Sequence, residues 1–126
     1  MSGRRDESLV LDDLVDAAAR LLEVGAQISA GELGRDRDVN EIILWNLLVL
    51  GEAAKQLSPS LRARFADVEW GKMARTRDRI AHHYGSADWP LIAEIIRDDL
   101  PPLLPRLREI RDLVRAEFEA AHGAPD

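Results

Sequence analysis

Cysteine is absent from the 126 residues, which excludes disulfide scaffolds, thiolate metal sites and cysteine nucleophiles and agrees with a reducing compartment. Aromatic residues are scarce, with three tryptophans, two phenylalanines and a single tyrosine. Histidine occurs only three times, so a centre built on imidazole or phenol has few places to be. No apolar run approaches the roughly 20 residues of a membrane-spanning helix. The longest, Ile42 to Leu50, is interrupted by Asn46. The opening residues, Met-Ser-Gly-Arg-Arg-Asp-Glu, have no signal-type apolar stretch behind them. The expectation is a cytoplasmic protein with no membrane contact. Gly-rich phosphate loops, nucleophile elbows, internal repeats and low-complexity tracts are also missing, and no segment alternates with the period of a strand.

What is present is aliphatic and charged. Hydrophobic residues make up 46% and charged residues 32%, enough apolar surface to offset the entropy of ordering the chain. The length suits one domain, residues 1–126, with a tail frayed from about residue 121. Net charge is −6, unfavourable for phosphate binding as an average. Between Arg62 and Tyr84, however, six cations face three carboxylates, a local excess of +3.

The hydrophobic spacing is helical throughout. Leu11, Leu14, Val15, Ala18, Leu21 and Leu22 recur at three- and four-residue steps and predict a first long helix closed by Gly31 and Gly34. Asp38 with Glu41 reads as a capping box opening the second helix, Val39 to Leu57. That helix is apolar on nearly every side, so its second face belongs either at the centre of the bundle or against another subunit. A homodimer is the expectation. Ser58-Pro59 opens a short helix to about Phe65, and a fourth helix runs from Trp70 to His82. Asp88 caps a fifth. Pro101, Pro102 and Pro105 are expected to break or kink the path before a last helix to about Ala120. The fold class is all-α, an up-and-down bundle of about five to six helices.

One stretch concentrates chemistry. Arg77-Asp78-Arg79-Ile80-Ala81-His82-His83-Tyr84 gathers guanidinium, carboxylate, two imidazoles and the only phenol at a helix end. Macrodipole attraction of basic groups to helix C-termini offers a purely structural explanation. The functional one starts from geometry: five residues put Arg77 and His82 about 140° and about 7.5 Å apart on an ideal helix. They are not stacked neighbours, but both can border one cleft. Cleaving a phosphodiester needs an acid and a base, which a two-fold axis through the cleft would supply from two copies of His82. Arg77 suits the phosphate. The reaction these groups fit is RNA transesterification by its own 2'-hydroxyl, with no metal required.

The remaining candidates have structural readings beside functional ones. His82 and His83, adjacent in sequence, point about 100° apart and do not form a metal pair. His122 lies in the tail. Glu52, inside an apolar helix, is expected to pair with an arginine of the fourth helix. Trp45, Trp70 and Trp89 are read as core before base-stacking platforms. Arg75 and Arg79 either steer RNA or form a solvated face.

The spacing R-x-x-x-x-H-x-Y at Arg77, His82 and Tyr84, preceded by Gly51-Glu52-Ala53-Ala54-Lys55 and followed by Asp98-Asp99-Leu100-Pro101-Pro102-Leu103, resembles the HepT-like branch of the HEPN superfamily over about residues 8 to 118. The resemblance implies a homodimeric ribonuclease toxin paired with a minimal nucleotidyltransferase antitoxin. It implies a nuclease centre of Arg77 and His82, with Tyr84 as the acceptor of AMP from the antitoxin and no cofactor. Asp78 stands where that family commonly has Asn or another polar group; its carboxylate either orients an imidazole or pairs with Arg77. An adenylate on Tyr84 would add charge and bulk at the cleft mouth. The rival reading is a non-catalytic helical dimer that binds a nucleotidyltransferase or a nucleotide.

Overall fold

The computed structural model describes residues 5–29 and 31–123, and among them every regular element is helical. Helix α1 (Glu7–Ala26) is followed by α2 (Arg37–Gln56), the short α3 (Pro59–Arg64), α4 (Trp70–His82) and a 3-10 turn (Tyr84–Ser86). The last run comprises α5 (Trp89–Glu94), a π-helical segment (Ile95–Asp99) and α6 (Leu100–His122). The result is an up-and-down, HEPN-like bundle in which α2 packs mainly on α4 and α1, while α1 also packs on α6.

Each apolar stripe predicted from spacing reaches one continuous core. Leu11, Leu14 and Leu21 of α1 meet Ile43 and Leu47 of α2 and Leu107 and Ile110 of α6, all essentially inaccessible to solvent. A polar tie crosses the same layer. Ser8 is fully buried, and its hydroxyl accepts from Arg115 Nε at 3.2 Å while Arg115 and Arg111 both pair with Asp12. Thus α1 and α6 are joined with the buried hydroxyl satisfied. Ser58 caps α3 as expected, accepting from the Leu61 N–H at 3.2 Å. Its own N–H and hydroxyl donate to Glu7 at 2.7 and 2.9 Å, which ties the start of α3 to the start of α1.

Two boundaries early in the chain differ from those read in the sequence. The first helix ends at Ala26, before Gly31. Gly34 belongs to the following loop, where its φ of +93° and the Trp89 ring 2.7 Å from a notional Cβ require glycine. The cap of α2 is Asp36, not Asp38. The Asp36 carboxylate accepts from the N–H groups of Asp38 and Val39 at 2.9 and 3.2 Å, leaving Asp38 in the first turn, where its charge suits the dipole.

The prolines do not end the last helix. Pro101, Pro102 and Pro105 lack the N–H groups that the carbonyls of Arg97, Asp98 and Pro101 would accept. All of these residues are solvent-exposed, so water can serve the orphaned carbonyls. Just before them the Leu100 N–H bonds to the Ile95 carbonyl five residues back, a π turn that absorbs the irregularity. α6 then continues to His122, two residues beyond the expected end, with Gly123 as its cap. The rest of the predicted tail, residues 124–126, lies outside the described residues.

The second face of α2 is neither central nor dry. Trp45 is 64% exposed, and Ile42, Leu48 and Val49 beside it are half-buried. In the single chain, an apolar strip is left facing outward.

Candidate functional site

The site is built on the crossing of α2 and α4, and a glycine decides how close that crossing is. A Cβ placed on Gly51 would lie 2.1 Å from the Arg77 Cβ and 2.6 Å from the Met73 carbonyl oxygen. No other residue type fits there without parting the helices. Arg77 therefore leaves α4 directly against the α2 backbone, with only its outer part, 34% exposed, reaching solvent.

Around that guanidinium stands a ladder of charges. Glu52, the residue after the glycine, pairs with Arg77 Nε at 3.3 Å, as its place in an apolar helix predicted. Asp78 accepts from Arg77 Nη1 at 3.1 Å and from Lys55 Nζ at 2.9 Å. Lys55, foremost, and Arg77 hold the Asp78 carboxyl below its ordinary value. It is an anion at neutral pH and has no proton to give. Of the two roles left open for Asp78, the structure contains the pairing with Arg77; the contact with His82 comes from the Asp78 backbone carbonyl instead.

His82 closes α4. Its Nδ1 lies 3.1 Å from that carbonyl, an ordinary helix-end contact that leaves Nε2 turned away and the ring exposed. No hydrogen bond joins Arg77 to His82 among the described residues. Tyr84 begins the 3-10 turn and is 45% exposed. Within one chain, Arg77 is thus gathered with Glu52, Asp78 and Lys55, whereas His82 in the last turn of α4 and Tyr84 just past it are open to solvent.

Half of the six cations between Arg62 and Tyr84 are engaged in ion pairs among the described residues. Arg64 pairs with Glu117, Lys72 with Asp99, and Arg77 as described. Arg75 and Arg79 carry no ion pair among the described residues; they lie four apart on the exposed side of α4. No group of three or more metal-ligating side chains forms among the described residues. No described helix is long and apolar enough to cross a membrane. Trp70 is core, with its indole N–H on the Phe65 carbonyl at 3.0 Å, and Trp89 is half-buried against Gly34. Trp45 departs from the core reading.

The Gly51 contact and the Lys55–Asp78 bond were not found by sequence reasoning. A signal existed: a lone glycine inside an otherwise apolar helix costs about 1 kcal/mol against alanine and asks for a packing reason.

The family model for ribonuclease HepT-like proteins matches residues 14–110, a span that contains α2, α4, Arg77, His82 and Tyr84. The chain belongs to the ribonuclease HepT-like family. A relative named "Putative RNase" in Methanocaldococcus jannaschii is 25% identical, covering 92% of this chain and 96% of its own. "Probable ribonuclease HepT" of Thermococcus cleftensis is 23% identical, with 86% and 98% covered. A further "Putative RNase", from Caldanaerobacter subterraneus, is 27% identical over 79% of this chain and 89% of its own. No solved structure matches. This HepT-like chain carries its Arg and His on the helix that crosses α2 at Gly51.

Proposed function

We propose that the protein is a metal-independent endoribonuclease in which Arg77 binds and stabilises the scissile phosphate and His82 transfers protons. The observation that carries this is the fixed, partly exposed Arg77 on the same helix as a solvent-open His82, in a chain of a ribonuclease family. In the reaction the RNA 2'-oxygen attacks the adjacent phosphorus, its proton passes to an imidazole, and the 5'-oxygen leaves with a proton from another. The product is a 2',3'-cyclic phosphate. DNA lacks the attacking hydroxyl and is spared.

One His82 cannot be both base and acid in the same step. The outward strip of α2 offers the second. Trp45 and Glu52 are two turns apart on one side of α2, and Glu52 touches Arg77. A second copy seated on Ile42, Trp45 and Val49 would lie next to the nuclease groups, joining two Arg77–His82 sets in one cleft. The homodimer is part of the proposal for that reason.

Control follows from Tyr84. Its exposed phenol can attack the α-phosphate of ATP on a nucleotidyltransferase antitoxin, releasing pyrophosphate and leaving AMP at the cleft mouth. The added anion and base would compete with RNA for Arg77. The protein is then a cytoplasmic toxin neutralised by modification.

The test is cleavage of RNA by the purified, unmodified protein in excess chelator. His82→Ala and Arg77→Ala should each lower the rate by at least about a hundredfold. Equal residual cleavage by wild type and both variants would remove the enzymatic reading, and nucleotidyltransferase binding without any cleavage would favour the non-catalytic dimer.

A further inference from the structure

A cavity of about 160 Å³ lies behind the proposed nuclease centre, between α4, the 3-10 turn and α5. Its α4 wall is the stripe Thr76, Arg79, Ile80 and His83, spaced to share one helix face. The floor is aliphatic: Ile80 and Ile92 are almost fully buried there, with Leu91 and Ile95 beside them. Ala87 closes one side. At about 30 Å³ per water the space corresponds to about five waters, enough for one flat ring system and below the size of drug-sized pockets.

The mouth has the opposite character. Arg79 and His83 line it, and neither side chain has a hydrogen bond or ion pair among the described residues. Arg64, Lys72 and Arg77 of the same segment are, by contrast, held in ion pairs. Asp88, the one carboxylate lining the cavity, is engaged as the cap of α5, accepting from the Leu91 N–H at 3.1 Å. The His83 ring lies 6.4 Å from that of His82, within the span of one nucleotide.

We propose that this cavity is a nucleobase subsite, taking the base of the nucleotide next to the scissile phosphate while Arg79 and His83 hold the adjoining phosphate. The proposal rests on the ribonuclease reading and deepens it. An aliphatic floor under a flat heterocycle gives dispersion and apolar burial regardless of base identity, and unpaired cations at the rim match the backbone charge.

The experiment is a titration of isotope-labelled protein with AMP and UMP, following the isoleucine methyl signals, with ribose 5-phosphate and inorganic phosphate as controls. Both nucleotides should shift Ile80 and Ile92. The two controls, which carry the anion without the base, should leave those methyls unmoved. Arg79→Ala, at an exposed position, should weaken nucleotide binding about tenfold, and Ala87→Leu should fill the cavity and abolish the shifts. Equal methyl shifts with ribose 5-phosphate, or unchanged nucleotide affinity in Arg79→Ala, overturn the proposal. Nucleotide binding here by a chain that never cuts RNA would support the subsite while removing the nuclease reading. Cleavage of unaltered rate and base preference by Ala87→Leu would remove the subsite and leave the nuclease.

Discussion

Gly51 and Arg77 meet so closely that a methyl group on the first would stand 2.1 Å from the Cβ of the second. Gly51→Ala forces α2 and α4 apart at the point where Arg77 emerges. Overpacking costs about 1–3 kcal/mol, against a helix-propensity gain of about 1 kcal/mol. The clash should win, because the opposing atoms include the Met73 backbone, which cannot rotate away. Urea unfolding should show a lower midpoint for the variant, and RNA cleavage should fall with it. A variant as stable as wild type would mean that the crossing is looser than described.

Glu52→Gln separates charge from packing at the same place. The Glu52–Arg77 pair is half-exposed, so its loss should change stability by less than about 1 kcal/mol. Arg77 would keep its charge and its Asp78 contact and lose the Glu52 tether on Nε. Cleavage should therefore drop mainly in kcat, with Glu52→Asp recovering part of it; an unchanged kcat would show that the tether has no role in the reaction.

Asp78 sets an acid-side dependence. Its folded value is held below the ordinary 3.8, first by Lys55 and then by Arg77. A depressed carboxylate contributes stability that is fully present above its unfolded value and disappears as pH falls through the folded one. Wild type should lose this contribution only below 3.8, and Asp78→Asn should lose less across that window. Denaturation midpoints measured from neutrality into strong acid check it; parallel curves for the two proteins would contradict it.

Much of the architecture was legible because its signals are local. The apolar stripes of α1 and α6, the Ser58-Pro59 start and the Trp70–His82 helix follow from spacing and caps. The start of α2 was misplaced because Asp36 and Asp38 are equally good caps in sequence, and only the loop from Gly34 decides between them. The prolines do not break the helical run, because the cost of each depends on the carbonyl it orphans and these belong to exposed residues. At the site, residue types named Arg77, His82 and Tyr84, but the α2–α4 crossing that fixes Arg77 is a long-range contact. Trp45 looked like core because a helix apolar all round does not say which side its own chain covers.

Pro105 tests the account of the last helix. It lies inside α6 on the solvent side, where Pro105→Ala would restore an N–H for the Pro101 carbonyl. An interior proline costs about 3 kcal/mol, offset by roughly 0.4–1 kcal/mol of unfolded-state restriction. The variant should be more stable by roughly 2 to 2.6 kcal/mol in urea unfolding. A loss of stability would show that the π segment and the prolines depend on one another.

The identity of the cut ends bears most directly on Arg77 and His82 as a metal-independent transesterification pair. An oligonucleotide with one ribonucleotide in a DNA background, incubated with the purified protein in chelator, can be analysed by mass spectrometry. The account predicts a 2',3'-cyclic phosphate and a 5'-hydroxyl at that ribonucleotide alone, absent with His82→Ala. Cleavage within the DNA, a 5'-phosphate product, or the same ends with His82→Ala would contradict it.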